Sequence, residues 1–475
     1  MDDLDTWNAD TSPDSDRLIF RGGILGAIAP LGLFLTGVAW LGLSGAPDER
    51  GFWAILLVAI TLGTLLAKDP RAYSDAVIKG MSRPIVMLMV FAWILAGVLG
   101  SLVNAGGFVQ SLVALATAVG VSGGGFVSVA FLICAVVSTS TGTSLGTIIL
   151  AAPLLYPAAA SLQADPSMLI GAILAGATFG DNVSPVSDTT IASASTQKTD
   201  IGGVVRSRIK YALPAGALAL ILYGIMGADA PEQLNVASIN DSHGFQGIWM
   251  LLAPTASIVM LLKKRHLVES LLVGIVTGVV TGLASGSITL SALLYIDTEN
   301  FIAKGLILEG MERGLGVSIF TILLMGLVAG LQKSGVVGDW VGNLRNRTKS
   351  PQKAEWWIFG AISGAVILTT HATVAILSVG DITNEVGESA GIPAYRRANL
   401  LDMAVCTYPF LFPFFIPTIL AASMTISGEA FGLPRISPFT VGFLNFYSWG
   451  LMAMLIFAIS TGFGRSENRE KELEK

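Results

Sequence analysis

The chain has 475 residues, of which 53% are hydrophobic and 13% charged, with a net charge of −5 and a mean hydropathy of +0.70. Soluble proteins carry about 25% charged residues, so this composition excludes an ordinary soluble fold and implies an integral membrane protein. There is no nucleotide-binding glycine loop, no zinc spacing and no nucleophile triad, which argues against an ATP-driven pump, a nucleic-acid partner or an enzyme.

In chain order, residues 1–20 form an acidic tail (Asp2, Asp3, Asp5, Asp10, Asp14, Asp16) expected to be disordered. Its charge is the wrong sign for a secretory signal peptide, so the first span is expected to be retained. Apolar stretches long enough to cross a bilayer occupy 22–44, 52–67, 84–104, 211–228, 247–262, 267–285, 317–333 and 438–462. Regions 126–200 and 356–425 are apolar but interrupted by hydroxyls, glycines, prolines and carboxylates. The expected fold is therefore all-α, with about 10–12 transmembrane segments, broken helices and re-entrant hairpins. Cys134 and Cys406 lack metal-type spacing and read as small buried residues.

Basic residues mark the cytoplasmic side. Lys68, Arg71, Lys79 and Arg83 place one loop there, as do Arg206, Arg208 and Lys210, then Lys263, Lys264 and Arg265, then Arg345, Arg347, Lys349 and Lys353. The loop 229–246 has acids and no Lys or Arg and reads as external; both termini then fall in the cytoplasm.

The halves 21–229 and 247–463, followed by a tail 464–475, resemble each other at an offset of 230 residues. Gly80-Met81-Ser82-Arg83 matches Gly310-Met311-Glu312-Arg313, Thr139 matches Thr369, and Thr143 matches Thr373. The charge rule puts Arg83 and Arg313 on opposite sides, which is the layout of inverted-repeat secondary transporters with a site near the midplane. That topology places Arg396 and Arg397 externally, as a surface pair or an anion attractor.

The sharpest motif is Gly180-Asp181-Asn182-Val183-Ser184-Pro185-Val186-Ser187-Asp188-Thr189-Thr190. Carboxylates at membrane depth mark functional sites. Pro185 forbids a continuous helix, and the break gathers hard oxygen donors from Asp181, Asn182, Ser184, Ser187, Asp188 and Thr189, which suit sodium. Asp181, Asn182 and Asp188 are the expected sodium ligands; a polar surface loop with an aspartate cap is the alternative. Ser138 to Thr147, with Thr141, Thr143 and Ser144, suits a re-entrant tip, or else hydroxyls bonding back to carbonyls within a span. In the second half Thr369-Thr370-His371-Ala372-Thr373 is its counterpart, His371 being either a proton carrier or a satisfied buried residue. Asp402 is the expected partner of Asp181, and Asp381 and Glu385 fall either in the site or at the surface.

Residues 180–190 resemble the signature Gly-Asp-x-x-Ser-Pro-x-Ser-Asp-Thr-Thr of the NhaC family of sodium/proton antiporters, and the likeness extends over roughly 20–460. The resemblance implies an elevator-type carrier, a homodimer in the inner membrane, and no cofactor beyond the sodium ion itself. It also implies an ion site lined by Asp181, Asn182, Ser184, Asp188 and Thr189, facing a tip made by Thr141 and Thr143. The segment from Asp402 to the bulky run Phe410–Phe415 departs from the family pattern. Two functions follow. In the first, burial disfavours the charged carboxylate, which takes a proton and releases it when sodium arrives. In the second, sodium drives an organic anion or amino acid, as in malate/lactate exchange, with His371, Thr373 and Arg397 holding the solute.

Overall fold

The computed structural model describes residues 17–44, 50–228, 247–263, 265–298, 301–336, 339 and 350–465. Residues 1–16 of the acidic tail, the loop 229–246, the basic residues Lys264, Arg345, Arg347 and Lys349, and the end of the C-terminal tail lie outside them; residues 17–20, expected within the disordered tail, instead pack on the bundle, with Leu18 and Phe20 buried and the Leu18 amide donating to the Lys333 carbonyl at 3.1 Å. Among the described residues, seven helices are long and apolar enough to cross a membrane, with shorter apolar helices between them. Their outward faces are apolar too: Val276 and Val280, or Ile221 and Ile225, sit one turn apart and are more than half exposed. A surface like this is suited to lipid. The chain is a multi-pass, all-α membrane protein; among the described residues Tyr295–Asp297 pairs antiparallel with Ile302–Lys304 in a small β-hairpin.

The first half begins with α1 (Ile24–Leu43) and α2 (Arg50–Leu66). Next comes α3 (Pro70–Met81), an amphipathic helix where the sequence reads as a charged loop. Asp69 caps it by accepting from the Ala72 amide at 3.0 Å, and Pro70 fits the first helical position. Tyr73, Ala76, Val77 and Gly80 form its buried face, the 3–4–7 spacing of one helix side. The charged residues of that loop project from the other faces. Then follow α4 (Pro84–Ala105), α5 (Phe108–Ala118), α6 (Gly123–Thr141), α7 (Ser144–Leu155), α8 (Pro166–Val183), α9 (Asp188–Thr196) and α10 (Ile201–Met226). The expected span 211–228 is only the second part of α10; Arg206, Arg208 and Lys210, read as a loop, are helical.

The second half contains α11 (Leu252–Leu262), α12 (Leu267–Ser285), the single turn α13 (Leu290–Leu293), α14 (Leu306–Lys333), α15 (Pro351–Thr369), α16 (Ala372–Ser389), α17 (Ala394–Val405) and α18 (Ile416–Met424). The apolar stretch 438–462 is not one span but two helices, α19 (Pro438–Phe443) and α20 (Phe446–Thr461). Asn445 stands between them; its side chain accepts from the Ser448 amide at 3.1 Å and donates to the Phe410 carbonyl at 3.2 Å. A buried amide that caps one helix and ties it to a neighbouring break explains the interruption.

Helices α4 and α14 pack antiparallel. Arg83 at the start of α4 donates to Gln332 near the end of α14 at 2.7 Å. At the other end, a Cβ placed on Gly97 would stand 2.0 Å from the Gly310 carbonyl oxygen. Small residues that let helix backbones touch are a common means of association in bilayers. Arg313 therefore lies toward the opposite end of the pair from Arg83.

Arg396 and Arg397 are not a surface pair. Arg396 is fully buried and donates to Glu355, to the Tyr211 hydroxyl and to the Phe463 and Ala458 carbonyls. That is the end of the bundle where Lys210 and Arg465 also lie. Both arginines start α17, whose packing draws them inward against α9, α15 and α16.

Candidate functional site

Two helical hairpins and two broken helices meet around one cavity. The first hairpin is α6–α7. Helix α6 stops at Gly142, whose φ of 70° is left-handed and suits glycine. Thr143 is extended (φ −142°) and caps α7, its hydroxyl accepting from the Gly146 amide at 3.1 Å. The second hairpin, α15–α16, turns the same way with different residues: Thr370 at φ 53° followed by His371 at φ −137°. The matching torsions lie 228 residues apart, so His371, and not Thr373, stands where Thr143 stands. The pairing by residue identity is therefore two residues out of register at the tips.

In part of the first tip the hydroxyls bond back to carbonyls within the helix. Thr139, Ser140 and Thr141 donate to the carbonyls four residues back, at 2.7, 2.8 and 2.9 Å. Thr141 is not among the residues lining the cavity. Ser138 instead bonds across to the Ala177 carbonyl at 2.6 Å.

The first broken helix is α8–α9. Asp165 caps α8 through the Met168 amide at 2.7 Å. Pro185 lies in the break, and Ser187 begins the next helix. Ser184 donates to the Thr139 carbonyl at 2.7 Å, which ties the break to the first hairpin. Asp181 is 7% exposed; one carboxylate oxygen accepts from Ser144 at 2.8 Å, and the other has no partner among the described residues. Asp188 is exposed, and accepts from its neighbour's Thr189 amide at 2.9 Å and from the Thr373 hydroxyl at 2.5 Å. Each acid thus engages one hairpin: Asp181 the first, Asp188 the second.

The second break separates α17 from α18. Asp402, in α17, is fully buried and forms an ion pair with Arg208 of α10, itself fully buried. The Thr190 hydroxyl donates to Asp402 at 2.9 Å. Arg208 also reaches the Asn182 carbonyl, the Thr190 hydroxyl and, at 3.0 Å, the Asn399 side chain. The carbonyl freed by the first break is therefore taken by an arginine. Tyr447 donates to the Asn182 side-chain oxygen at 2.9 Å.

The cavity has a volume of about 340 Å³. Of the residues expected in the site, Thr143, Ser144, Asp181, Asp188, Thr189, His371 and Thr373 line it. Thr141, Asn182, Ser184, Ser187 and Asp402 do not line it; of these, Asn182, Ser184 and Asp402 tie neighbouring elements together. Asp381 and Glu385 are exposed on α16. Sequence reading missed Trp93, Thr370, Cys406 and Phe410 in the lining, and Arg208 behind it. A signal for Arg208 existed: it falls with Val204, Tyr211, Ala212 and Ala215 on one buried helix stripe, away from Arg206 and Lys210.

Residues 23–228 match the profile of the Na+/H+ antiporter family. Over the chain, curated relatives include a malate-2H+/Na+-lactate antiporter of Bacillus subtilis, 28% identical over 52% of this chain and 54% of its own length. The Na+/H+ antiporter NhaC of Alkalihalophilus pseudofirmus is 25% identical over 62% of this chain and 66% of its own. NhaC of Bacillus subtilis is 27% identical over 42% of this chain and 44% of its own. The chain thus spans about half to two thirds of the length of the curated relatives it matches. The matched segment, similar to the Na+/H+ antiporter family, takes in both arms of the first hairpin, the break at Pro185 and both cavity acids.

Proposed function

We propose that the protein exchanges sodium for protons across the cell membrane by alternating access, with Asp181 as the group the two ions share. The observation that carries this is the buried Asp181 carboxylate of the cavity lining, with one oxygen held by Ser144 and the other without a partner among the described residues. An unpaired buried carboxylate is costly, so it holds either a proton or a cation. Sodium arriving at the charged oxygens displaces the proton, and the proton arriving displaces sodium. One ligand at a time is the condition for obligatory exchange. Ser144 and Thr143 from the first hairpin, with Asp188 and Thr189, supply further oxygens of the hard type that sodium takes.

The two hairpins, sharing a turn, and the antiparallel α4 and α14 support an inverted repeat of 21–229 on 247–463. Arg208 removes Asp402 from the ligand set, because an ion pair already satisfies it. Organic-anion exchange, the activity in the name of one relative, is less well supported. Arg397, the cation among the three solute residues of that reading, is occupied by Gln197, Asn384 and the Ile392 carbonyl.

The test is purified protein in liposomes with a trapped pH-sensitive dye and an inside-acid gradient. External sodium is expected to dequench the dye with saturation, and Asp181→Asn to remove the sodium response while the protein keeps its monodisperse elution profile. Sodium-driven proton movement that survives Asp181→Asn would refute the assignment.

A further inference from the structure

The cavity is far larger than an ion needs, and much of its wall is apolar. Its volume of about 340 Å³ is many times the share of one water, roughly 30 Å³. Its lining carries Asp181, Asp188, Thr370 and His371 together with Met89, Trp93, Leu145, Ile149, Phe410 and Ile416. The apolar part of that lining offers a bare or hydrated sodium ion no ligand. It would, however, bury the hydrocarbon part of a larger cation, which is favourable in proportion to the apolar area covered. Among the described residues of the lining there is no lysine or arginine. Of the basic residues nearest in the fold, Arg208 is paired with Asp402 and Arg83 is turned to Gln332. A carboxylate-bearing solute would therefore meet two acids and no cation. An amine would meet the unpartnered oxygen of the nine-tenths buried Asp181 and the unpartnered Nδ1 of His371.

We propose that this cavity binds an organic monocation, an ammonium group carrying an apolar body and no carboxylate, with the ammonium at Asp181 and the body against Trp93, Ile149 and Phe410. The inference rests on reading Asp181 as the cation-binding carboxylate and adds the class of a second ligand for it. Alkyl amines are protonated near neutrality, as the lysine side chain is, so the bound species is the cation.

The experiment is calorimetric titration of the purified protein, in detergent without sodium, with ethyl-, butyl-, hexyl- and 2-phenylethylammonium, and with hexanoate and ornithine as comparison ligands. Binding is expected to tighten about three- to fourfold per methylene, to weaken as sodium is added, and to vanish in Asp181→Asn. Hexanoate and ornithine are expected to give no saturable heat. Heat that grows with chain length but is indifferent to sodium and to Asp181→Asn is micelle partitioning and overturns the proposal. So do binding without chain-length dependence, which would make the cavity a plain ion vestibule, and tight binding of ornithine. The wild-type series needs no variant, so a misfolded Asp181→Asn leaves the test standing. Sodium/proton exchange is measured on the same preparation. Exchange without ammonium binding sinks this inference alone, whereas ammonium binding lost in Asp181→Asn without exchange sinks the antiport reading alone.

Discussion

Arg208 carries four contacts across the molecule's most interrupted region. It reaches a carbonyl before the first break, a hydroxyl after it, and two side chains of the other broken helix. Removing one partner of a buried pair costs about 3–5 kcal/mol, whereas replacing both with apolar groups of similar size is often neutral. Arg208→Met is therefore expected to lower the thermal midpoint in detergent sharply, and Arg208→Met with Asp402→Leu to recover most of the loss. Equal damage in the single and double variants would show that the pair is not what braces the break. Thr370 is a second residue under strain. A β-branched side chain at φ 53° stands in a region that costs an L-residue roughly 1–2 kcal/mol, and its hydroxyl is buried without a partner among the described residues. Thr370→Gly is expected to raise the thermal midpoint by a few degrees; a fall would mean that the hydroxyl holds a ligand or water that outweighs the strain. Asp181 and Asp188 were legible in the sequence because acids beside a proline in an apolar run have few other uses. Arg208 was not, because three basic residues in five read as a loop until the helix period separates the inner one from the outer two.

At the level of elements, the long uninterrupted helices were the readable part. The stretch 267–285 is helix α12 to the residue, since its nineteen mostly apolar residues leave the backbone no other way to satisfy itself in lipid. Misreadings fall where composition and conformation part company. α3 looks like a loop by charge yet buries a narrow stripe, and 438–462 looks like one span yet is divided by the side chain of Asn445. The α3 stripe is close-fitting: a Cβ on Gly80 would lie 2.3 Å from the Ala329 Cβ and 2.5 Å from the Met325 carbonyl oxygen. Gly80→Val is therefore expected to prise α3 from α14 and destabilise by about 1–3 kcal/mol, seen as a lower thermal midpoint with earlier proteolysis around residues 68–83. An unchanged cleavage pattern would place α3's anchorage elsewhere. The two hairpins were foreseen from their hydroxyls, but their common turn was not, because one is built on glycine and the other on threonine and only the torsions agree.

Across the whole molecule, one end of the bundle is gathered by Glu355. This buried carboxylate faces Arg396 at 3.1 Å and Arg465 at 2.7 Å, which joins α15, α17 and the end of α20. The carboxylate also holds the Arg465 guanidinium above its ordinary pKa, chiefly through their hydrogen bond. Glu355→Gln leaves Arg396 buried beside a second cation, and the expected result is a loss of about 3 kcal/mol together with faster tryptic cleavage after Arg465. Cleavage as slow as in the parent protein would show that the end is held by the apolar contacts of Tyr211 and Phe463 instead. The charge rule set Arg83 and Arg313 apart, and the antiparallel α4 and α14 do place them toward opposite ends of the pair. The burial of Arg396 was not readable that way, since the rule counts loop residues and this arginine starts a buried helix.

Arg208 with Asp402, and Arg396 with Glu355, are charges that cancel within a few ångströms. Asp181 and Asp188 have no such counterpart among the cavity's residues, so they set the sign of the potential at its centre. On the proposed reading, a cation bound there would stand partway through the membrane's voltage drop, which over its full thickness is worth about 2.3 kcal/mol per elementary charge for every 100 mV. Occupancy of the cavity would thereby be tied to membrane voltage by depth alone, before any helix moves.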